Sequence, residues 1–420
     1  MLIEFRLRNF RSFRDIAEVN FTASADKELE RTHCILTGVS STPRVTRTAA
    51  VFGANASGKS NLMFGLATMN LLVQHSTALS ETQFAEFYTP FKLDPATVGG
   101  PTEFEVNVVI SGVRYEYGFS HDAHRIRSEW LTVYRTAKGQ RWFERRWDSD
   151  QGEEVWAGFS SHFSGPRETW RKATRPQALF LTTAAQFNSE LLKPLFDWFT
   201  RDLVILNTPI VLGLGYTVQR LEEPAFKERV LEILRAADLH ISDIRVEKRA
   251  GQQVAFSFEL GKPAKVSARE QDIPDITFCH QVEGGEPVWF DSRYESAGTQ
   301  RLLAYIGPIL DAIENGKVLI IDEVDASLHP MVTRFLIGLL QDPVVSRRGA
   351  QLWVNTHDTS LLEGGLLRRD QVWFVDKDIK QASHLVPLTD FSPRKNEALE
   401  RGYLRGRYGA VPFISSPRLQ

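Results

Sequence analysis

The chain has 420 residues, 42% hydrophobic and 24% charged, a balance that builds folded cores and excludes a disordered or fibrous protein. Lys and Arg number 50 against 52 Asp and Glu, so the formal charge of -2 supplies no global field for nucleic acid, and any basic surface has to be local. The two cysteines, Cys34 and Cys279, form no CxxC pair, which sets aside zinc ribbons and disulfide-stapled scaffolds and fits a reducing, cytoplasmic setting.

Residues 1–13 alternate arginine with apolar residues and lack the apolar core of a signal peptide. No window approaches the run of about 18 uncharged apolar residues that a spanning helix needs, so no membrane partner is expected. Ile3, Phe5 and Leu7 alternate with Glu4, Arg6 and Arg8, and Val19 and Phe21 resume the pattern, which predicts an opening pair of strands. The run 49–53 reads as a buried strand, and Leu62, Leu66, Met69, Leu72 and Val73 recur at helical spacing after it. Residues 102–110 and 113–119 are β-rich runs joined by Ser111-Gly112, the signature of a tight hairpin. Between 120 and 290 the pattern is mixed: 130–134 and 178–182 read as extended, 191–199 and 226–237 as helical, and 251–290 as irregular strands and loops. From Gly298 a helix to about 313, a turn at Asn315-Gly316, a buried strand 318–321, a helix 331–340 and a strand 352–354 follow. No repeat and no coiled-coil heptad run is present. The expected organisation is one composite domain, with lobes at 1–185 and 291–420 and a helical and β region at 186–290 between them.

The strongest motif is Gly53-Ala54-Asn55-Ala56-Ser57-Gly58-Lys59-Ser60, a GxxxxGK[ST] phosphate loop with a strand before it and a helix after it. Its small residues let backbone N–H groups close on phosphate oxygens, Lys59 neutralises β/γ charge, and the Ser60 hydroxyl is a Mg²⁺ ligand. Asn61 completes this ATP-binding set in the first helical turn. A second half-site stands at the end of the buried strand 318–321, where Asp322 would hold Mg²⁺ and Glu323 would polarise the attacking water. An Asp-Glu pair of this kind also caps helices, so its weight comes from the phosphate loop.

Lys59 and Asp322 are 263 positions apart, which calls for an intervening lobe. Just upstream, Ser296-Ala297-Gly298-Thr299 opens a helix, and such an end is an anion site suited to the γ-phosphate of ATP held by a second subunit. The plainer reading is an N-cap with a glycine beside it. Arg141-Trp142-Phe143-Glu144-Arg145-Arg146-Trp147 interleaves rings and cations, as nucleic-acid strands do, but equally as a half-buried strand does. His121 and His124, beside Asp122, suggest a metal, but two histidines in a polar turn with no third ligand read as a solvated turn.

In the order phosphate loop, Ser-x-Gly, Asp-Glu, Asp325-Ala326-Ser327, His357, the motifs resemble the ABC-type ATPase heads of SMC, RecF and OLD proteins. The resemblance implies an α/β P-loop NTPase head with a mixed β-sheet, an antiparallel β-lobe and an inserted middle region. It implies Ser296, Gly298 and Thr299 as a signature acting in trans, Asp325 between subunits and His357 as the switch histidine near the γ-phosphate. It also implies a Mg²⁺-sensing glutamine, for which Gln186 is the candidate, after an apolar run and before a helix. The segment 7–13 looks like the opening of such heads. More narrowly, Ser327-Leu328-His329-Pro330, the segment 91–95 and the tail 402–412 look like the stand-alone RloA-type ATPases of bacterial defence loci. That likeness covers about 1–120 and 290–412 and implies a homodimer or higher homo-oligomer that controls a separate effector, a nuclease by analogy. Only 62 residues follow Asp358, too few for the Toprim domain of OLD nucleases. The competing expectations are a RecF-like ATPase that binds DNA directly and a nucleotide-gated scaffold with little turnover.

Overall fold

The computed structural model describes residues 1–206, 209–257, 265–394 and 397–412, with side chains for all of these except 209–213, 248–257 and 265–274. The principal elements in chain order are β1 (Leu2–Arg8), β2 (Ala17–Asn20), β3 (Cys34–Val39), β4 (Thr42–Thr46), β5 (Thr48–Phe52) and α1 (Lys59–His75). Then come β6 (Thr102–Ile110), β7 (Val113–His121), β8 (Ile126–Tyr134), β9 (Gln140–Asp148), β10 (Glu153–Phe159), α2 (Phe180–Gln186), β11 (Leu203–Leu206) and α3 (Pro224–Ala236). The chain continues with β12 (Ile241–Ser257), β13 (Lys265–His280), β14 (Val288–Asp291), α4 (Ala297–Asn315), β15 (Val318–Ile321) and α5 (Pro330–Gln341). It closes on β16 (Gln351–Asn355), β17 (Val372–Lys377), β18 (Ser383–Pro387) and α6 (Leu399–Leu404).

The alternation in the opening strands is used as expected. Phe5 and Leu7 of β1 face the core while Arg6 and Arg8 are exposed, and β1 joins the antiparallel sheet β10-β9-β8-β7-β6-β1-β2. The β6–β7 hairpin closes through Ser111 at φ 49° and Gly112 at φ 76°, two positive values in succession that match the right-handed twist of the strands. The second large sheet has the order β11-β15-β16-β5-β17-β18 and is parallel except for β18. Its inner strands β15, β16 and β5 are buried at every position, which is why they read as unbroken apolar runs. Helix α1 buries Leu62, Leu66, Met69, Leu72 and Val73, and Gly65 lets it lie against β1: a Cβ there would stand 2.4 Å from Leu7 Cδ2.

One sequence expectation changes and one open reading is decided. Residues 178–182 do not extend; Phe180–Gln186 is helix α2. The fully buried Glu129 carboxylate accepts the N–H groups of Phe180 (2.7 Å) and Leu181 (3.0 Å), and Arg145 donates to Ala178 O (2.5 Å), so a buried charge fixes the helix start over local β propensity. The strand 141–147 is half-buried, as its plainer reading has it: Trp142 and Phe143 are fully buried and Arg145 is 1% exposed, while Arg141 and Arg146 are exposed. A register shift between Leu131 and Thr132, opposite β9, lets two successive rings turn inward.

The described chain forms two compact units, one of Met1–Asn207, Asp311–Ala326 and Thr333–Gln420, the other of Thr208–Leu310 and Ser327–Val332. The boundaries differ from the expected lobes because β11 pairs in parallel with β15, which keeps 186–207 in the first unit, while the start of α4 falls in the second. In the second unit, β12 and β13 form a long antiparallel ribbon joined by β14, more regular than the irregular segment expected at 251–290. Residues 258–264 of that segment lie outside the described residues. Among the described residues no helix is long and apolar enough to cross a membrane.

Candidate nucleotide site

The phosphate loop, Asp322, Glu323 and His357 stand just beyond the C-terminal ends of the parallel strands of the first unit. β5 runs into the phosphate loop, β15 into Asp322 and Glu323, and β16 into Asn355-Thr356-His357. The strand order puts β16 between β15 and β5, so residues 263 apart in sequence become neighbours through one intervening strand. This is where open parallel sheets hold their ligands.

The loop is tightly determined. Ala56 adopts φ 61° and Gly58 φ 120°. A Cβ on Gly53 would come within 2.5 Å of Val375 O, and one on Gly58 within 2.4 Å of Ser383 Oγ. The Ser383 hydroxyl donates to Ser57 O (2.5 Å), so β18 braces the loop from outside. Asn61 Nδ2 donates to Ser12 Oγ (2.9 Å) and Arg11 donates to Asn61 Oδ1 (3.3 Å), tying the segment 7–13 to the first turn of α1. The first N–H groups of α1 lack helical partners by geometry and open on this loop.

Lys59 is buried, and its ammonium folds back to Gly53 O (2.8 Å) and Ala54 O (3.1 Å). Burial pulls its pKa down from 10.5 to about 8, against the opposing pull of Asp322, Asp325 and Glu323. His357 responds to the same group: burial, then the Lys59 charge, lowers its pKa, while Asp325, Glu323 and Asp322 act the other way. Although the residue as a whole is exposed, its ring is therefore held neutral at pH 7. Its backbone N–H donates to both Asp325 carboxylate oxygens, each at 3.3 Å. Asp322 is nearly buried and accepts from Asn355 Nδ2 at 2.8 Å. Glu323 is exposed and sits at φ 50°, a left-handed conformation that costs a non-glycine residue about 1–3 kcal/mol. Backbone bonds on both sides hold it there, from Ala326 N to Glu323 O (3.0 Å) and from Val324 N to Asn355 O (3.2 Å).

The structure thus brings Lys59, Asp322, Glu323, Asp325 and His357 into one electrostatic group. The residues fit a Mg²⁺-nucleotide. Ser57 Oγ is buried without a partner, the loop is a cradle that a Cβ would fill, and the Ser60 hydroxyl and Asp322 carboxylate are the hard oxygen donors that Mg²⁺ takes alongside phosphates. Among the described residues no cluster of three or more His, Cys, Asp or Glu could hold a metal by itself.

Gln186 does not join this group. It ends α2 and donates to Thr77 Oγ1 (2.6 Å), two residues past the far end of α1. The 17 residues of α1 span about 25 Å at 1.5 Å per residue, so Gln186 is a helix length away from Ser60. In the second unit, Ser296 is the N-cap of α4: its hydroxyl oxygen accepts from Thr299 N (3.0 Å), and its exposed side chain fits an open helix end. Gly298 is required because a Cβ would lie 2.8 Å from Ser327 O. Thr299 is 4% exposed with its hydroxyl on Ser296 Oγ (2.9 Å), so it backs the cap and presents nothing to a ligand, contrary to expectation. Asp122 binds the N–H groups of His124 (2.7 Å) and Arg125 (2.9 Å) and pairs with Arg127, while His121 lies fully buried among Phe84, Phe104 and Phe119.

Sequence reasoning missed Ser383 and Asn355, which reach the site only through sheet pairing. The tail 402–412, known from the sequence only by its family likeness, finds its place in the fold. Tyr403 and Tyr408 each stack on Phe374 with centroids 5.3 Å away, Phe52 meets Tyr403 at 6.1 Å, and Thr359 Oγ1 donates to Glu400 (2.6 Å). The tail thus docks on its own chain beside the strand that feeds the phosphate loop, with Arg401 and Arg405 left exposed.

A parallel sheet with a phosphate loop and an Asp-Glu pair at its C-terminal edge, beside an antiparallel β-lobe, defines a P-loop ATPase head of the ABC type. Within that class the chain belongs to the family described as "AAA domain, putative AbiEii toxin, Type IV TA system", whose profile matches residues 49–363, three quarters of the chain. Among curated proteins none matches. Of solved structures, the chain is similar to the SMC head domain from Thermotoga maritima (15% identity, 92% of this chain and 98% of that one, TM-score 0.39). It is also similar to the Smc head domain with a coiled coil and joint from Pyrococcus yayanosii (10% identity, 93% and 99%, TM-score 0.43). At such identities and TM-scores the likeness carries no functional weight.

Proposed function

We propose that this chain binds ATP with Mg²⁺ at the C-terminal edge of its parallel sheet, hydrolyses it, and through ATP-bridged assembly controls a separate effector in defence against foreign DNA. The observation that carries the reading is the convergence of Lys59, Asp322, Glu323, Asp325 and His357 on one strand edge. Lys59 and the loop N–H groups bind the β- and γ-phosphates, and Ser60 and Asp322 would hold Mg²⁺. Bound there, Mg²⁺ neutralises charge that builds on the phosphoryl oxygens. Glu323 orients and polarises the water for in-line attack, and the neutral His357, anchored through Asp325, donates a hydrogen bond toward the γ-phosphate.

The exposed Ser296 cap supports assembly: an open helix end supplies N–H groups to a phosphate that its own unit lacks. The family description, "putative AbiEii toxin, Type IV TA system", supports operation alongside a second protein. The burial of Trp142, Phe143 and Arg145 leaves only Arg141, Arg146 and part of Trp147 at that surface, which favours assembly over direct DNA binding. The test is the solution mass of Glu323→Gln protein by light scattering, with and without Mg-ATP, beside the same protein carrying Ser296→Arg. Mass should rise with ATP in the first and stay unchanged in the second; a mass indifferent to ATP in both overturns the bridged assembly.

A further inference from the structure

Asn355 is the last residue of the central strand β16 and is fully buried. Its backbone is fixed from both flanks: it pairs in register with Val51 of β5, and its carbonyl accepts the N–H of Val324 (3.2 Å) just past Asp322. Its side-chain Nδ2 donates to Asp322 Oδ1 at 2.8 Å. A carboxylate only accepts, so this bond also settles which way the carboxamide is turned. The other end, Oδ1, is then a buried acceptor with no partner. Leaving such an acceptor dry costs about 1–3 kcal/mol, and an apolar residue of similar size would avoid the cost. The orphan is therefore informative, because it belongs to the same amide that grips the proposed metal ligand. Mg²⁺ dehydrates reluctantly and keeps several waters, whose O–H groups are strong donors.

We infer that Asn355 is a positioning residue for the metal: Nδ2 holds the Asp322 carboxylate in its ligating rotamer, and Oδ1 accepts a hydrogen bond from a water of the bound Mg²⁺. The inference rests on the reading of Asp322 as the Mg²⁺ ligand. It assigns the buried asparagine before Thr356-His357 a role that its place in a core strand does not reveal. It also explains why a polar side chain occupies the one strand end that lies between the phosphate loop and the Asp-Glu pair.

The test is equilibrium binding of a fluorescent ATP analogue to the full chain, titrated with Mg²⁺ from a chelator-buffered zero. Wild type is compared with Asn355→Leu, which keeps the branched shape and heavy-atom count, Asn355→Ala, and Asp322→Ala. Outer-shell partners of metal ligands are typically worth 10–100-fold in metal affinity, so both Asn355 variants should raise the Mg²⁺ midpoint by about 10–100-fold. Their affinity for the nucleotide without Mg²⁺ should stay within about 3-fold of wild type, since the phosphate loop is untouched. An unchanged midpoint in the Asn355 variants, with a raised one in Asp322→Ala, overturns the role of Asn355 and leaves the site standing. An unchanged midpoint in Asp322→Ala overturns the reading beneath it. Equal loss of affinity with and without Mg²⁺, or failure of both Asn355 variants to fold, assigns the residue to structure alone and overturns the inference.

Discussion

Two regions of this chain are expected from the sequence to meet phosphate, the strand ends of the first unit and the exposed start of α4 in the second, and they are built on different principles. At the strand edge, Lys59 is buried against its own loop, Glu323 is held at positive φ, and Ser57 and Asn355 keep buried atoms without partners. Each of these costs the free protein stability, and a bound Mg²⁺-nucleotide would offer partners to Lys59, Ser57 and Asn355. At the start of α4 the cap is internally satisfied, with Ser296 bonded to Thr299 and the exposed helix end facing solvent. The first is a site in its own right, whereas the second is complete as structure and gains a ligand only if another molecule brings one.

The largest effect that sharpens this contrast is on affinity. Lys59→Ala should weaken ATP binding about 10–100-fold, the worth of a charge-assisted bond to phosphate, while Ser296→Ala leaves the affinity of a dilute monomer unchanged in the same calorimetric titration. Next in size is a steric effect. Gly53→Ala drives a Cβ into the rigid Val375 carbonyl and should destabilise the protein by about 1–3 kcal/mol in urea unfolding, with nucleotide binding lost alongside.

A pH effect separates the regions again. With Lys59 near 8 in the free protein and a bound phosphate favouring the ammonium, ATP binding should take up about half a proton at pH 8 and close to none at pH 6. Titrations in buffers of different ionisation enthalpy measure this uptake, and Lys59→Met should abolish the component at pH 8. The same shift has a stability sign. The unfolded lysine keeps its proton up to about 10.5, so the free protein gains stability as pH rises from about 8 toward 10.5. The smallest effect belongs to the cap, where Ser296→Ala should cost about 1 kcal/mol of stability through the lost bond to Thr299 N.

The phosphate loop was legible because its residues are consecutive and its flanks announce themselves. The Asp322-Glu323 strand and the 111–112 hairpin were legible for the same reason, a local pattern with a local meaning. Asn355 was not, since its role exists only once β16 lies between β15 and β5. Gln186 shows the converse error. An apolar run before a glutamine marks an element boundary without saying which end of α1 that boundary meets, and the buried Glu129 carboxylate decided it by starting a helix at Phe180. Thr299 was assigned by motif alone, and the cap geometry turned it inward.

The central claim is that ATP is cleaved at the strand edge with Glu323 acting on the water. Its most direct test is the Glu323→Gln protein, measured for ATP affinity and for single-turnover phosphate release beside wild type. The account predicts an affinity within about 3-fold of wild type and release slowed by about 10²–10⁴-fold, the usual worth of a general base. Phosphate release at the wild-type rate by the Gln protein would contradict it.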